Sequence, residues 1–88
     1  MDRETRVKRL RFRAHHRGTK EADLMIGGFF DRFSEGWSEA QIAEFETLIE
    51  EQDVDIMGWA IGTIPVPAQF DGPMMRKLAA VDYVPIAE

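Results

Sequence analysis

The stretch HHRGTKEADLMIGGFFDRF, residues 15–33, decides the fold. Its second half repeats apolar residues every three to four positions, which is the spacing of one face of an α-helix. These apolar residues are Ala22, Met25, Ile26, Phe29, Phe30 and Phe33. Thr19 can cap such a helix, and Glu21 and Asp23 lie in its first turn, where the helix dipole favours negative charge. The stretch therefore predicts an amphipathic helix that follows Thr19 and runs to about Phe33.

Two glycines, Gly27 and Gly28, lie in the middle of this predicted helix. They cost about 1–2 kcal/mol relative to alanine, because glycine loses more backbone entropy on folding. Glycine also lets a neighbouring helix approach closely, since it has no side chain. We therefore expect the helix to persist through both residues, with a tight helix crossing or a bend at that point.

The residues before this stretch predict a first helix over residues 3–16. Val7, Leu10 and Ala14 follow helical spacing, and Arg and Lys occupy most other positions. Phe12 lies off this apolar stripe, and the pattern leaves open whether it closes the edge of the core or is exposed at an interface. Gly18 is a natural break after the helix, because glycine readily adopts the left-handed backbone of a helix end.

Start and stop signals indicate two further helices downstream. Ser38 and Gln41 have the spacing of a capping box, at the start of a helix that reaches about Glu51. Asp53 can cap a short fourth helix, and Gly62 stops it. Both predicted helices carry apolar residues at helical spacing, so each is expected to bury one face.

The end of the chain predicts one more helix and a tail. Pro65 and Pro67 exclude a helix over the linker TIPVPAQF, residues 63–70, because proline restricts the backbone and lacks an N–H donor. Asp71 can cap a last helix that has Pro73 in its first turn. The final residues 82–88, DYVPIAE, read as a loose tail. With no alternating strand pattern, the sequence predicts a single all-α domain of four to five short helices.

Charge is divided unevenly along the chain, whose formal net charge is −5. Residues 1–20 carry eight Lys/Arg and two acids, a net of +6, whereas residues 21–88 carry three Lys/Arg and fourteen acids, a net of −11. Separate basic and acidic faces would favour an electrostatically oriented partner. The alternative is a solvated first helix whose arginines pair with the acidic remainder, and the charge pattern leaves both open.

The residue types disfavour an enzyme. The chain has no cysteine, which excludes disulfides, thiolate nucleophiles and cysteine-type zinc sites. His15 and His16 are adjacent and would point about 100° apart on a helix, so they do not easily share a metal ion. No nucleotide-binding glycine motif is present, and no histidine is near Ser34 or Ser38 in sequence. We therefore predict no catalytic residues, no metal site and no stably bound cofactor.

The sequence also bears on location and on other partners. No apolar run reaches the ~20 residues that cross a bilayer, and the N-terminal MDRETRVKRLRF has no apolar signal core. The lack of cysteine fits a reducing compartment. Nucleic-acid binding is disfavoured, because phosphates would repel the −11 remainder. We expect a cytoplasmic protein, a monomer, with no membrane insertion.

Arg17, Gly18 and Glu21 form an RGxxE pattern at the head of the opening stretch. Arg17 offers a planar fork of donors for carboxylate or backbone oxygens, and Gly18 would let a partner's backbone approach closely. In one interpretation Arg17 and Glu21 pair with each other at the helix junction, a surface pair worth under about 1 kcal/mol. In the other they form a small polar patch that docks a partner, and the residue types favour this only slightly.

On these residues the sequence resembles the succinate dehydrogenase flavinylation factors, the SdhE/YgfY family of FAD assembly factors in bacteria and their mitochondrial relatives. The resemblance spans most of the chain, through LRFRAHHRGTKEADL, WSEAQIAEFETLIEEQDVDIMGWA and IPVPAQFDGPMMRKL. RGxxE alone is a short motif. Specificity comes from its combination with the Asp-rich turn before Trp59, the proline-containing linker and the chain length. The resemblance implies a small bundle of five short helices formed by residues 1–88.

The resemblance also implies a function. Such proteins help FAD become covalently attached to a histidine of the succinate dehydrogenase flavoprotein subunit, and often of the fumarate reductase one. The family motif carries over to Arg17, Gly18 and Glu21 as partner-binding residues. Asp23 matches a position that is frequently acidic in similar sequences, and we add the adjacent His16 to this predicted site.

Two positions depart from the family pattern, and other functions stay open. His15 stands where an aromatic or basic residue is expected, and Gly28 where related chains often have a bulkier one, so both bear on interface detail.

Our hypothesis for the mechanism is a population shift, in which binding favours the attachment-competent arrangement of an immature flavoprotein. The alternatives are a helical adaptor whose basic first helix binds an acidic protein or RNA, and direct FAD carriage, which no nucleotide motif supports.

Overall fold

A computed structural model of the chain describes residues 2–83. Five helices account for most of this range, and no strand occurs within it. The helices are α1 (Arg3–His15), α2 (the consecutive segments Lys20–Ala22, Asp23–Gly27 and Gly28–Phe33), α3 (Glu39–Leu48), α4 (Asp53–Ile61) and α5 (Pro73–Ala80). Two 3₁₀ turns, Ser34–Gly36 and Ala68–Phe70, precede α3 and α5. The predicted all-α fold of five short helices is confirmed.

Helix α1 begins at a polar cap and ends just before the RGxxE motif. The Asp2 carboxylate accepts a hydrogen bond from the Thr5 backbone N–H at 2.8 Å, which satisfies one of the free donors of the first turn. Leu10 and Ala14 are buried, whereas Phe12 is 63% exposed. Phe12 therefore does not close the edge of the core. Gly18 lies in the linker after the helix with φ of +117°, a backbone conformation that favours glycine.

Helix α2 changes its winding in the middle. An α-helical turn, Lys20–Ala22, leads into a π-helical segment, Asp23–Gly27, and the α-helix resumes over Gly28–Phe33. The predicted cap is confirmed, because the Thr19 hydroxyl accepts a hydrogen bond from the Ala22 N–H at 3.1 Å. The π segment adds one residue to a turn. The helix therefore persists through both glycines, as predicted, with locally altered winding.

Helices α1 and α2 are in close contact at Gly27. A methyl group built on Gly27 would lie 2.6 Å from Cε1 and 2.9 Å from Cγ of the His15 ring. Glycine is therefore required for the last residue of α1 to lie flat against the backbone of α2. This confirms the tight crossing expected at the two glycines.

The core is one apolar cluster that receives side chains from all five helices. Its largest fully buried side chains are Phe29, Phe30, Phe45, Leu10, Ile26, Ile42, Ile56 and Leu78. Aromatic rings meet at its centre, where the Phe29 and Phe45 centroids are 6.2 Å apart and the Phe30 and Phe45 centroids 5.5 Å apart. These aromatic contacts fix α2 against α3. They therefore also hold the N-terminal end of α2, which follows the linker, in a defined position.

The predicted signals around α3 and α4 are partly confirmed. The capping box is present, since Ser38 N–H donates to the Gln41 side chain at 2.8 Å and Gln41 N–H donates to the Ser38 hydroxyl at 3.2 Å. Gly62 ends α4 with a left-handed φ of +86°. The cap prediction for Asp53 is wrong: Asp53 is the first residue of α4, and its carboxylate accepts a hydrogen bond from the Arg17 side chain.

The end of the chain differs from its prediction in two places. Gly72, not Asp71, precedes α5 as its cap, although Pro73 does occupy the first turn. The tail is not loose at Tyr83, which is 8% exposed and packs against Phe29 with centroids 5.3 Å apart. Its hydroxyl donates to the Leu78 carbonyl at 2.8 Å, and burial, with a contribution from Asp82, raises the pKa of Tyr83. The rest of the predicted tail, residues 84–88, lies outside the described residues.

Helix α1 presents one basic side to acidic residues of α3 and of the turn that follows it. The pairs are Arg3–Glu39 (2.8 Å), Arg6–Glu39 (3.0 Å), Arg6–Glu46 (2.7 Å) and Arg13–Glu50. For these three arginines, pairing with the acidic remainder of the chain is confirmed. The uneven charge along the sequence is therefore partly neutralised where the two helices meet.

Candidate functional site

The side chain of Arg17 points into the protein. This side chain is 11% exposed, and its Nε donates a hydrogen bond to the Asp53 carboxylate at 2.8 Å. Nη2 donates to the backbone carbonyl oxygens of Ile49 at 2.9 Å and Glu51 at 3.3 Å. The planar fork of donors is therefore used to join the α1–α2 linker to the α3–α4 loop and the first residue of α4.

This ion pair is a structural clamp across the fold. The Asp53 side chain is only 24% exposed, so both charges have lost much of their contact with water. Removal of either partner would leave a partly buried charge without compensation, which is costly in a protein interior. The clamp holds the linker against the rest of the domain and so positions the residues that follow Arg17.

Asp23 fixes the backbone of the same linker from the other side. Its carboxylate accepts a hydrogen bond from the Arg17 backbone N–H at 2.5 Å. Asp23 is half-buried and begins the π-helical segment of α2. Arg17 is thus held by two carboxylates, one at its side chain and one at its backbone.

Gly18 and Glu21 face outward. Gly18 is exposed, and no atom lies within 4 Å of the place where a Cβ would be. Glu21 is exposed in the first turn of α2. The interpretation in which Arg17 and Glu21 pair with each other is wrong, because Arg17 pairs with Asp53. The motif therefore divides into an inward arginine and an outward edge formed by Gly18 and Glu21.

The two adjacent histidines have separate environments. The His15 ring lies on Gly27 and donates from Nε2 to the Asp31 carboxylate at 3.0 Å. His16 is exposed, donates from Nδ1 to the Phe12 carbonyl at 2.7 Å, and stacks on the Phe12 ring with centroids 3.9 Å apart and planes at 15°. His16 is thus close in sequence to the outward edge, whereas His15 belongs to the α1–α2 contact.

Sequence reasoning missed one residue and one side-chain arrangement of this region. Asp53, the partner of Arg17, is 36 residues away along the chain, and its place after the α3–α4 turn suggested only a helix cap. The stacked arrangement of Phe12 and His16 was also missed. Their i, i+4 spacing on one helix was a signal that could have indicated it.

Two further observations bear on the class of site. In the part of the chain that the structure describes, no group of three or more His, Asp and Glu residues is placed to hold a metal ion. The helices within residues 2–83 include none with the length and apolarity that a membrane span requires.

Comparison with known families identifies the chain. Residues 8–82 match the family described as flavinator of succinate dehydrogenase. The chain belongs to this flavinator family. The match extends from α1 to the residue before Tyr83, so it includes the Arg17 clamp and the outward edge. The resemblance noted from the sequence is confirmed.

Several members of the flavinator family are similar to the chain. The FAD assembly factor SdhE of Acetobacter pasteurianus is 36% identical over 73 residues, which cover 83% of this chain and 67% of that protein. The mitochondrial succinate dehydrogenase assembly factor 2-B of Drosophila yakuba is 40% identical over 77 residues, covering 85% and 49%. The mitochondrial assembly factor 2 of Mycosarcoma maydis is 35% identical over 68 residues, covering 77% and 29%. The chain thus spans half or less of these two mitochondrial relatives.

Proposed function

We propose that the protein is an assembly factor that promotes covalent attachment of FAD to the flavoprotein subunit of succinate dehydrogenase. Membership of the flavinator family over residues 8–82 carries this proposal, and the names of its bacterial and mitochondrial relatives support it. The flavoprotein subunit of fumarate reductase is a second target under the same proposal. The cytoplasmic location and the monomeric state stay predictions.

The outward edge is the part of the surface that we assign to the flavoprotein. Gly18 would let the partner's backbone approach, and the exposed carboxylate of Glu21 would accept hydrogen bonds from it. His16 lies at the α1 end of the same edge. Arg17 and Asp23 were predicted to contact the partner, and their bonds within the chain instead support a positioning role for both.

The chemistry belongs to the partner under this proposal. The bond between the flavin 8α carbon and a histidine forms within the flavoprotein, and this chain neither carries out a covalent step nor holds FAD stably. It acts by binding the attachment-competent arrangement of the immature subunit more tightly than other arrangements. A tenfold shift in that equilibrium needs a difference of about 1.4 kcal/mol between the two binding free energies. An edge of a few residues is enough to supply such a difference.

The test is to co-express the flavoprotein subunit with variants of this chain and to measure covalent flavin by fluorescence of the denatured subunit. We expect Glu21→Ala and Gly18→Arg each to lower covalent flavin by about tenfold, the effect of losing about 1.4 kcal/mol of differential binding. Lys20→Ala is the matched control, because Lys20 is exposed in the same helical turn as Glu21. Its covalent flavin is expected to equal that of the wild type.

Gly18→Ala separates two effects of the glycine variant. Any side chain at a φ of +117° is strained, so alanine and arginine share that cost. Only arginine adds bulk to the outward edge. We expect Gly18→Arg to lose more covalent flavin than Gly18→Ala at equal stability. Wild-type levels of covalent flavin with both Gly18→Arg and Glu21→Ala would show that the edge is not the docking surface.

The alternative of an adaptor with a basic first helix has less free charge than the sequence suggested. Arg6 pairs with acids of α3 and Arg13 with Glu50 just after it, so reversing their charge would disturb the fold as well as any partner. Arg9 is exposed and pairs with no carboxylate within the described residues, so its charge reversal tests this alternative more cleanly. Loss of function in Arg9→Glu together with a silent Glu21→Ala would favour the adaptor.

A further inference from the structure

An exposed surface on α1 adjoins the outward edge at His16 and carries a large exposed aromatic side chain. Phe12 is 63% exposed, although burial of a phenylalanine side chain is a main source of stability in a small domain. It belongs to a shallow surface lined by Lys8, Arg11, Phe12, His15 and His16, which we name the α1 basic–aromatic surface. The folding of this chain gains little from a phenylalanine at this position.

The two aromatic rings of this surface are held in place. The His16 ring stacks on Phe12 at 3.9 Å with an angle of 15°, and its Nδ1–H donates to the Phe12 carbonyl. The stack restricts the side-chain rotamers of both residues before any partner arrives. An aromatic anchor that is already ordered loses less entropy on binding. Such exposed, preorganised aromatic residues are typical of the centre of a binding site.

The ionisable side chains that line this surface are all of basic type, and Arg11 also borders Glu4, Asp31 and Glu35 at a neighbouring cavity. Lys8 and Arg11 are exposed, and no carboxylate within residues 2–83 forms an ion pair with either of them. The Arg11 guanidinium lies 5.6 Å from the centre of the Phe30 ring. The Asp31 carboxylate accepts a hydrogen bond from His15 of this surface. The surface therefore complements a segment that offers carboxylates around an apolar side chain.

We propose that the α1 basic–aromatic surface docks an acidic segment of the flavoprotein subunit that inserts an apolar side chain against Phe12. This inference rests on the proposed function, and charge complementarity carries it. His16 precedes the Arg17–Gly18 pair directly, so the surface extends the outward edge along α1. A protein segment is favoured over RNA, because a short segment can confine its few carboxylates to this surface, whereas a phosphate backbone continues past it with a charge on every nucleotide and meets the fourteen acids after residue 20.

The experiment measures binding of the full chain to the purified flavoprotein subunit that lacks covalent FAD, at low salt and at about 0.15 M ionic strength. We expect Phe12→Ala to raise the dissociation constant by roughly 10- to 30-fold, as for the loss of a central aromatic anchor. Lys8→Glu combined with Arg11→Glu is expected to weaken binding by about tenfold at low salt and by less at the higher salt, because exposed charges are screened.

Two matched controls lie on the same chain. Val54→Ala removes an apolar side chain that is 71% exposed on α4, and Arg9→Glu reverses an exposed charge on another face of α1. Both are expected to bind within about twofold of the wild type, as for surface residues outside an interface. Circular dichroism and thermal unfolding check that each variant is folded. Lys8→Glu alone replaces the double variant if the change at Arg11, which lies over Phe30, weakens folding.

The outcomes separate this inference from the proposed function. A wild-type chain that neither binds the flavoprotein nor raises its covalent flavin overturns both. Normal flavinylation with unchanged affinity in Phe12→Ala overturns the inference alone. The inference is also overturned if Phe12→Ala dissolves a dimer of this chain, or abolishes RNA binding, while flavoprotein binding is unaltered. Weakened flavoprotein binding in Phe12→Ala with both controls unchanged supports it.

Discussion

Arg17 and Glu21 lie four residues apart at one helix junction, but their side chains occupy opposite environments. The Arg17 side chain is 11% exposed and is hydrogen-bonded to Asp53 and two backbone carbonyls. Glu21 is exposed in the first turn of α2. Two charged residues of one short motif thus meet different physical demands: one fastens the junction to the rest of the domain, and the other is displayed on it.

The difference explains why both residue types are needed close together. An exposed edge at the linker around Gly18 can present a fixed shape only if that linker is tied down. In an 88-residue chain the apolar core is too small to cover the linker as well. An arginine side chain, which carries several donors in a planar fork, can reach across to another loop and tie the linker down with few residues. The inward arginine therefore makes the outward edge rigid.

The largest expected effect comes from breaking the inward half. Arg17→Ala leaves Asp53 without its cation, and we expect the free energy of unfolding to fall by about 2–3 kcal/mol, somewhat below the value for a fully buried pair. Glu21→Ala should change it by less than about 1 kcal/mol, because an exposed acid in a first turn interacts only with the helix dipole. Urea unfolding of both variants, followed by circular dichroism, measures the contrast.

A double-mutant cycle sharpens this prediction. The Arg17–Asp53 pair should show a coupling free energy of at least about 1 kcal/mol, whereas Arg17 and Glu21, which share no contact, should be additive within about 0.5 kcal/mol. Equal stability losses in Arg17→Ala and Glu21→Ala, or strong coupling between those two sites, would contradict the division of the motif into an inward and an outward half.

Local signals predicted the helices well, because each acts over a few residues. The Thr19 cap, the Ser38–Gln41 capping box and the Gly62 stop are where the sequence indicated them. Asp53 and Asp71 misled for the same reason: an acid before a helix has the composition of a cap whether or not its carboxylate turns to the backbone. For Asp53 a competing partner decides that, and this partner, Arg17, is 36 residues away along the chain.

The candidate site was predictable only in part. Periodicity assigns a side chain to the apolar or the polar side of a helix, but Arg17 lies in a linker with no period. Its inward direction depends on Asp53, which the α3–α4 turn brings back to the linker from 36 residues away. The contact at the π-helical segment was also predictable only in part. Gly27 indicated a close approach, but not that His15 would be the residue that lies on it. Long-range packing determined both features.

A second set of variants tests whether the α1–α2 junction is held by the Arg17 clamp alone or also by the contact between His15 and Gly27. Gly27→Ala places a methyl group 2.6 Å from Cε1 of His15, so the ring must move away from α2 and from Asp31. We expect a loss of about 1–3 kcal/mol in the free energy of unfolding, which is the usual cost of overpacking. Gly36→Ala is the matched control, since a Cβ at Gly36 meets nothing within 4 Å. Urea unfolding measures both variants.

Removing His15 identifies the source of this loss. In a His15→Ala background the added methyl group has no ring to displace, and alanine is the better helix former. Gly27→Ala should therefore be neutral or stabilising there. A loss of the same size in both backgrounds would mean that the altered π-helical segment, and not the His15 contact, is the cause, and the Arg17 clamp would then be the main fastening of the junction.

The smallest expected effect concerns an ion pair away from the junction, between Arg6 and Glu46 on the α1–α3 face. The hydrogen bond from Arg6 is the largest cause that lowers the pKa of Glu46 below its ordinary value of 4.5, with the charges of Arg6 and Arg13 adding to it. Because the folded pKa is the lower one, this stabilisation is present above pH 4.5 and is lost as the pH falls through the lowered pKa.

Glu46→Gln should therefore destabilise the protein slightly at pH 7 and make its stability fall less steeply below pH 4.5, as measured by urea unfolding over a series of pH values. The side chains of Arg6 and Glu46 are 27% and 32% exposed, against 11% and 24% for Arg17 and Asp53, so water screens the first pair more. Asp53→Asn should thus cost more at pH 7 than Glu46→Gln. If the two variants lose equal stability, burial does not distinguish the inward clamp from an ordinary surface pair, and the rigidity of the outward edge needs another cause.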